Sequence, residues 1–125
     1  MSAVASNSAS DNCIFCKIVR GDIPSSKVYE DEEIFVFHDI QPQRPVHLLV
    51  IPKQHIESLA HVTEADSKTL GSMLSVAQQL AVEQGSVDGF RFIINTGRVG
   101  CQDVLHLHAH IVGGPDPVGP MLKRD

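Results

Sequence analysis

A chain of 125 residues with 42% hydrophobic side chains fits one domain around one main core, which excludes a multidomain enzyme. Fifteen acidic residues against ten basic ones, a formal charge of -5, exclude the broad basic footprint that holds nucleic-acid polymers or anionic membranes. A small anionic ligand gripped by a few local groups remains open.

Residues 1–12 contain no basic residue and no sustained apolar stretch, so they read as a disordered leader and not as a secretory signal. No apolar run approaches the roughly 20 residues that cross a bilayer. Three cysteines are an odd, sparse set for a disulfide framework and fit a reducing, cytoplasmic setting. Order is expected to begin at Cys13-Ile14-Phe15-Cys16-Lys17-Ile18-Val19-Arg20, where Ile14, Phe15, Ile18 and Val19 recur at helical spacing until Gly21 stops a short helix. Residues 27–30 and 34–38 are β-rich stretches about the charged turn Asp31-Glu32-Glu33, the pattern of a hairpin. Gln41-Pro42-Gln43-Arg44-Pro45 breaks the ladder before a third strand over 46–51, which Pro52 ends. Thr63-Glu64-Ala65-Asp66 has the chemistry of a helix N-terminus, and Leu70, Met73, Leu74, Ala77, Leu80 and Ala81 form the core-facing stripe of one long helix ending near Gly85. Residues 90–95 and 106–112 supply two more strands. The order predicts an α+β fold with a five-stranded antiparallel sheet, one long and one short helix. The Pro/Gly-rich tail over 115–125 is expected to extend over the surface or a partner subunit.

Three of the seven histidines fall at 106, 108 and 110. In a strand, alternation places them on one face, about 6.6 Å apart at roughly 3.3 Å per residue, with Leu107, Ala109 and Ile111 turned to the long helix. Such a row serves two chemistries. The imidazoles can bind a catalytic metal, or one of them can attack phosphorus while its neighbours orient it and protonate the leaving group. Asn95 and Gln102 nearby in sequence favour the second, since their amides can donate to phosphate oxygens. The Cys13-Ile14-Phe15-Cys16 pair has the gap that lets two thiolates reach one metal, and no βαβ context supports a redox reading.

His106-Leu107-His108-Ala109-His110-Ile111-Val112 followed by Gly113-Gly114 resembles the signature of the histidine-triad (HIT) family, His-φ-His-φ-His-φ-φ with φ apolar. Further blocks in the same order, Phe37-His38-Asp39-Ile40, Pro45-Val46-His47 and Val50-Ile51-Pro52-Lys53 among them, extend the resemblance over 13–114, most closely to the Hint-type nucleotide-binding branch. The resemblance implies a HIT fold with helices on one side of the sheet, paired as a homodimer, and a hydrolase of purine nucleoside 5′-phosphoramidates working through a nucleotidyl-histidine. It makes His108 the nucleophile and His110 and His47 its supporting histidines. Asp39 would receive the ribose hydroxyls, Phe37, His38 and Ile40 would line the nucleoside pocket, and Asn95 and Gln102 would contact phosphate or position the catalytic groups. It further implies structural zinc on Cys13, Cys16, His55 and His106, with no catalytic metal required, and leaves His61 exposed without a role.

Two departures stand out. Hint-type proteins usually read Gly-Gly-Gln-Ser-Val where this chain reads Gly100-Cys101-Gln102-Asp103-Val104, which puts a carboxylate at a position near phosphate and leaving group. The tail lacks the tryptophan-bearing end of the animal proteins. A dinucleoside polyphosphate hydrolase and a nucleotide-binding scaffold with weak catalysis are the alternative readings.

Overall fold

The computed structural model describes residues 12–120 and 122. Five strands, β1 (Lys27–Glu30), β2 (Ile34–His38), β3 (Val46–Pro52), β4 (Arg91–Ile93) and β5 (Ala109–Gly113), form one antiparallel sheet in the order β1-β2-β3-β5-β4. Helix α1 (Ile14–Arg20) precedes it, and α2 (Ser67–Ser75) and α3 (Ala77–Glu83) lie between β3 and β4.

Local chemistry accounts for the joints. Cys13 caps α1 by accepting the Cys16 N–H on its sulfur, and Gly21 ends it at φ 85, a conformation glycine adopts without steric cost. Asp31 organises the first hairpin by accepting from the N–H groups of Glu33 and Ile34 at 2.7 and 3.0 Å. Thr63 and Asp66 form a reciprocal capping box on a 3-10 turn, Glu64–Asp66, that leads into α2. The expected single long helix is two successive segments meeting at Val76, whose backbone stays right-handed at φ -83, ψ -14. Met73, Ala77, Leu80 and Ala81 are buried as the stripe requires, whereas Leu74 is 60% exposed, because it lies on the solvent flank of that stripe.

The sheet carries a core on each face. Ile34, Val36, Leu48, Val50, Leu107, Ala109 and Ile111 pack against α2 and α3. The alternate residues Phe35, Phe37, Leu49 and Ile51 pack against Phe15, Cys16 and Ile18 of α1. Leu49 pairs with His110, so the histidine face is the α1 face. The expectation of helices on one side alone is therefore corrected: α1 lies opposite α2 and α3, because Phe15 and Ile18 need an apolar bed and Phe35 and Phe37 provide it.

The fourth and fifth strands are also shorter than their apolar patterns predict. β5 starts at Ala109, leaving His106 and His108 outside it. Their backbone is committed elsewhere: the His106 carbonyl accepts from the His108 ring at 2.7 Å and the Leu107 N–H donates to the Ile56 carbonyl at 2.6 Å. A group spent on a loop or a side chain cannot extend a ladder.

Candidate active site

The first triad histidine belongs to a different cluster from the other two. His106, fully buried, donates Nε2–H to the Pro52 carbonyl at 2.9 Å, which leaves Nδ1 as the unprotonated nitrogen. That nitrogen lies 3.1 Å from Cys13 Sγ and 3.5 Å from Cys16 Sγ, and Cys16 Sγ lies 3.3 Å from His55 Nδ1. The four ligand atoms fall within 4.8 Å of one another. Two sulfurs and two imidazole nitrogens about a tetrahedral zinc would stand about 3.5 Å apart, from bond lengths of about 2.3 and 2.0 Å. The donor set, spacing and fixed tautomer of His106 fit such an ion. Burial holds His106 down at about 4, with the Pro52 carbonyl opposing, and burial also lowers His55; both imidazoles are therefore neutral ligands at pH 7.

His108 is 2% exposed and stands edge-on to Phe15, ring centroids 5.2 Å apart. Its Nδ1–H donates to the His106 carbonyl, so in the neutral ring the lone pair is on Nε2. Asp103 Oδ1 lies 3.5 Å from that Nε2, facing the histidine.

A second pair completes the centre. The Gln43 N–H donates to His47 Nδ1 at 3.0 Å, so the proton of neutral His47 sits on Nε2, which donates to His110 Nδ1 at 2.9 Å. His110 then presents Nε2–H. The Asp39 carboxylate is 3.4 Å from His47 Nε2 and accepts the Gln41 N–H at 2.8 Å. Burial first, then the charges of His108 and His47, lower the His110 pKa, so the resting donor is a neutral imidazole and not the imidazolium that an unperturbed value near 6.5 would supply in part.

Phe37 is buried between Phe15 and Phe35, at centroid distances of 5.8 and 6.0 Å. His38 is half-buried at the end of β2 and Ile40 is 92% exposed. Asn95 lines a cleft of about 280 Å3 with Arg44, His47, Arg91 and His110. Gln102 accepts from the Gly97 N–H at 2.9 Å and donates to the carbonyls of Glu57 and Val104 at 2.7 and 2.9 Å, which makes it a strut of the loop before the triad. Cys101 in that loop is exposed at φ 60. His61 is exposed, bonded through Nδ1 to Ser58.

Several participants escape sequence reasoning. The Pro52, Ile56 and His106 carbonyls and the Gln43 N–H set the tautomers and the loop, and backbone groups leave no trace in residue identity. Arg44 and Arg91 reach the tail, donating to the carbonyls of Val118 and Gly119, a contact no local pattern announces.

Residues 12–123 match the family model for the scavenger mRNA decapping enzyme C-terminal binding region. The chain is 50% identical over 105 residues to protein HitA of Neisseria gonorrhoeae, covering 84% of this chain and 98% of that protein. It is 44% identical over 115 residues to the purine nucleoside phosphoramidase of Escherichia coli K12, covering 91% and 96%, and 47% identical over 103 residues to a 14 kDa zinc-binding protein of Zea mays, covering 81% and 80%. The crystal structure of a HIT family hydrolase from Legionella pneumophila superposes with a TM-score of 0.80 at 45% identity, over 84% of this chain and 95% of that one. The chain belongs to the histidine-triad (HIT) family of hydrolases.

Proposed function

We propose that the chain hydrolyses purine nucleoside 5′-phosphoramidates through a nucleotidyl-histidine on His108. The carrying observation is the 2.7 Å bond from His108 Nδ1–H to the His106 carbonyl, which fixes the tautomer with its lone pair on Nε2 and orients the ring for attack. Nε2 bonds to phosphorus while the P–N bond breaks. The departing amine takes one proton from the His47–His110 pair when that pair carries an extra proton, and the pair is left neutral. Water then attacks the nucleotidyl-histidine, returns its proton to the pair and releases the mononucleotide. The similarity to the Escherichia coli phosphoramidase supports the substrate class.

In this reading Asn95, with Arg44 and Arg91 in the same cleft, faces the phosphate, and Gln102 holds the loop. Phe37, His38, Asp39 and Ile40 serve the nucleoside, Asp39 receiving the ribose hydroxyls. Cys13, Cys16, His55 and His106 hold a structural zinc, a proposal supported by the fit of their ligand atoms and by the zinc-binding relative. When bound, the ion ties α1 to the loop that carries the nucleophile. No catalytic metal enters the reaction. A cytoplasmic homodimer is part of the same proposal: β4 is an edge strand of three half-buried residues, and a second copy would extend its cover. Among the described residues no helix is long and apolar enough to cross a membrane. Release of AMP from adenosine 5′-phosphoramidate, lost in His108→Ala with nucleotide binding retained, tests the activity. A His108→Ala protein that still turns over would overturn it.

A further inference from the structure

The two sides of the reacting histidines differ in charge. The cleft beside His47 and His110 is lined by the guanidinium-bearing Arg44 and Arg91, which outnumber the one carboxylate there, Asp39, at 3.4 Å from His47 Nε2. At the attacking nitrogen of His108, by contrast, the charged neighbour is Asp103, with Oδ1 at 3.5 Å. Its side chain is 79% exposed and that of His108 only 2%, so the carboxylate has room to rotate about a fixed imidazole.

A phosphorus poised for attack lies about 3–3.5 Å from the nucleophile. Attack is in line, so the leaving nitrogen lies on the far side of phosphorus, within reach of the His47–His110 pair. A substituent a few bonds beyond that nitrogen is long enough to fold back along the phosphate, and the exposed Asp103 side chain beside His108 is the carboxylate it then meets.

We propose that Asp103 is a specificity-determining residue that selects phosphoramidates whose leaving amine bears a second, cationic nitrogen three or four bonds from the one attached to phosphorus. Diamines are the simplest members of that class, and neutral alkyl amines of the same shape are the disfavoured ones. The inference rests on the hydrolase reading and adds its leaving-group preference. The reaction stays balanced as above: the P–N bond breaks, the leaving nitrogen takes one proton from the His47–His110 pair, and the distal ammonium takes no part in proton transfer. One partly exposed charge pair at such a distance gives about fivefold to tenfold discrimination at low salt, and screening reduces it.

The test compares kcat/KM for adenosine 5′-N-(2-aminoethyl)phosphoramidate and its N-propyl isostere at low and high ionic strength. The intact wild-type chain is expected to prefer the aminoethyl compound about fivefold to tenfold at low salt and less at high salt. Asp103→Asn should bring the ratio close to one, and Asp103→Glu should keep a preference. An unchanged ratio in Asp103→Asn overturns the inference, as does an equal rise for both substrates, which would mean that Asp103 only repels phosphate; in either case the hydrolase reading stands. Failure of the folded wild-type protein to cleave either compound removes the hydrolase reading and this inference together.

Discussion

His108 and His106 are joined by a hydrogen bond of 2.7 Å from the ring of one to the backbone carbonyl of the other, and the ring of His106 simultaneously faces Cys13 at 3.1 Å. One residue thus belongs to both centres. Its side chain completes the Cys/His cluster, and its backbone sets the tautomer of the nucleophile. Cys13 and His106 are 93 positions apart, so the contact is a product of the fold and not of local sequence.

Removing a ligand should therefore be felt twice. Cys16→Ala is expected to abolish stoichiometric zinc and to lower stability by more than about 3 kcal/mol, beyond what truncating one buried cysteine costs. Metal analysis and thermal melts with and without chelator check this. A melt unchanged by chelator in the wild type would leave the cysteines as packing residues only.

The metal-free protein should lose stability as pH falls from about 6.5 towards 4. The sign follows from His106, whose folded value is lowered to about 4, chiefly by burial: in that window the unfolded chain binds the proton and the folded one does not. The loss reaches about 3 kcal/mol at pH 4, with His55 and His110, also lowered, acting in the same direction. Urea midpoints at pH 7, 6, 5 and 4 measure it, and His106→Asn should flatten the curve.

His110→Ala should reduce turnover of an amine phosphoramidate by about 10^2–10^4 and that of adenosine 5′-p-nitrophenyl phosphate far less, because a nitrophenolate departs without a proton. Since burial and its histidine neighbours lower His110, and only the protonated pair acts as acid, kcat for the amine substrate should fall as pH rises through a midpoint below 6.5. The nitrophenyl ester should lack that limb. Equal losses for both substrates would assign His110 to binding alone.

Gln102→Ala removes three hydrogen bonds that tie 97, 57 and 104 together. At about 0.5–1.5 kcal/mol each, the expected destabilisation is about 2–3 kcal/mol, with kcat reduced and KM little changed. Chemical denaturation and steady-state kinetics read the two effects. A large rise in KM at normal stability would make Gln102 a substrate contact instead.

Much of this was legible in residue order. Apolar, β-rich runs marked β2 and β3, Thr63-Glu64-Ala65-Asp66 marked a helix start, and the two-residue gap between Cys13 and Cys16 marked a pair whose sulfurs could reach one metal. The HIT signature carried the remaining assignment of roles. What escaped did so for physical reasons. Apolar periodicity cannot reveal that the backbone at 106–108 serves side chains and loops, so β5 was expected three residues too early. Nor can it reveal that both faces of β2 and β3 are buried, because continuous burial erases alternation. Leu74 fits a helical stripe by spacing alone and lies on its exposed flank. The orientation of Asp103 towards His108 depends on a turn that includes a left-handed Cys101, which no propensity would favour.

The most direct test is mass spectrometry of a quenched reaction with adenosine 5′-phosphoramidate, followed by digestion. The account predicts an adenylyl group on His108 in the wild-type protein and none in His108→Gly, which should also be inactive. An adduct on another residue, or full turnover by His108→Gly, would contradict it.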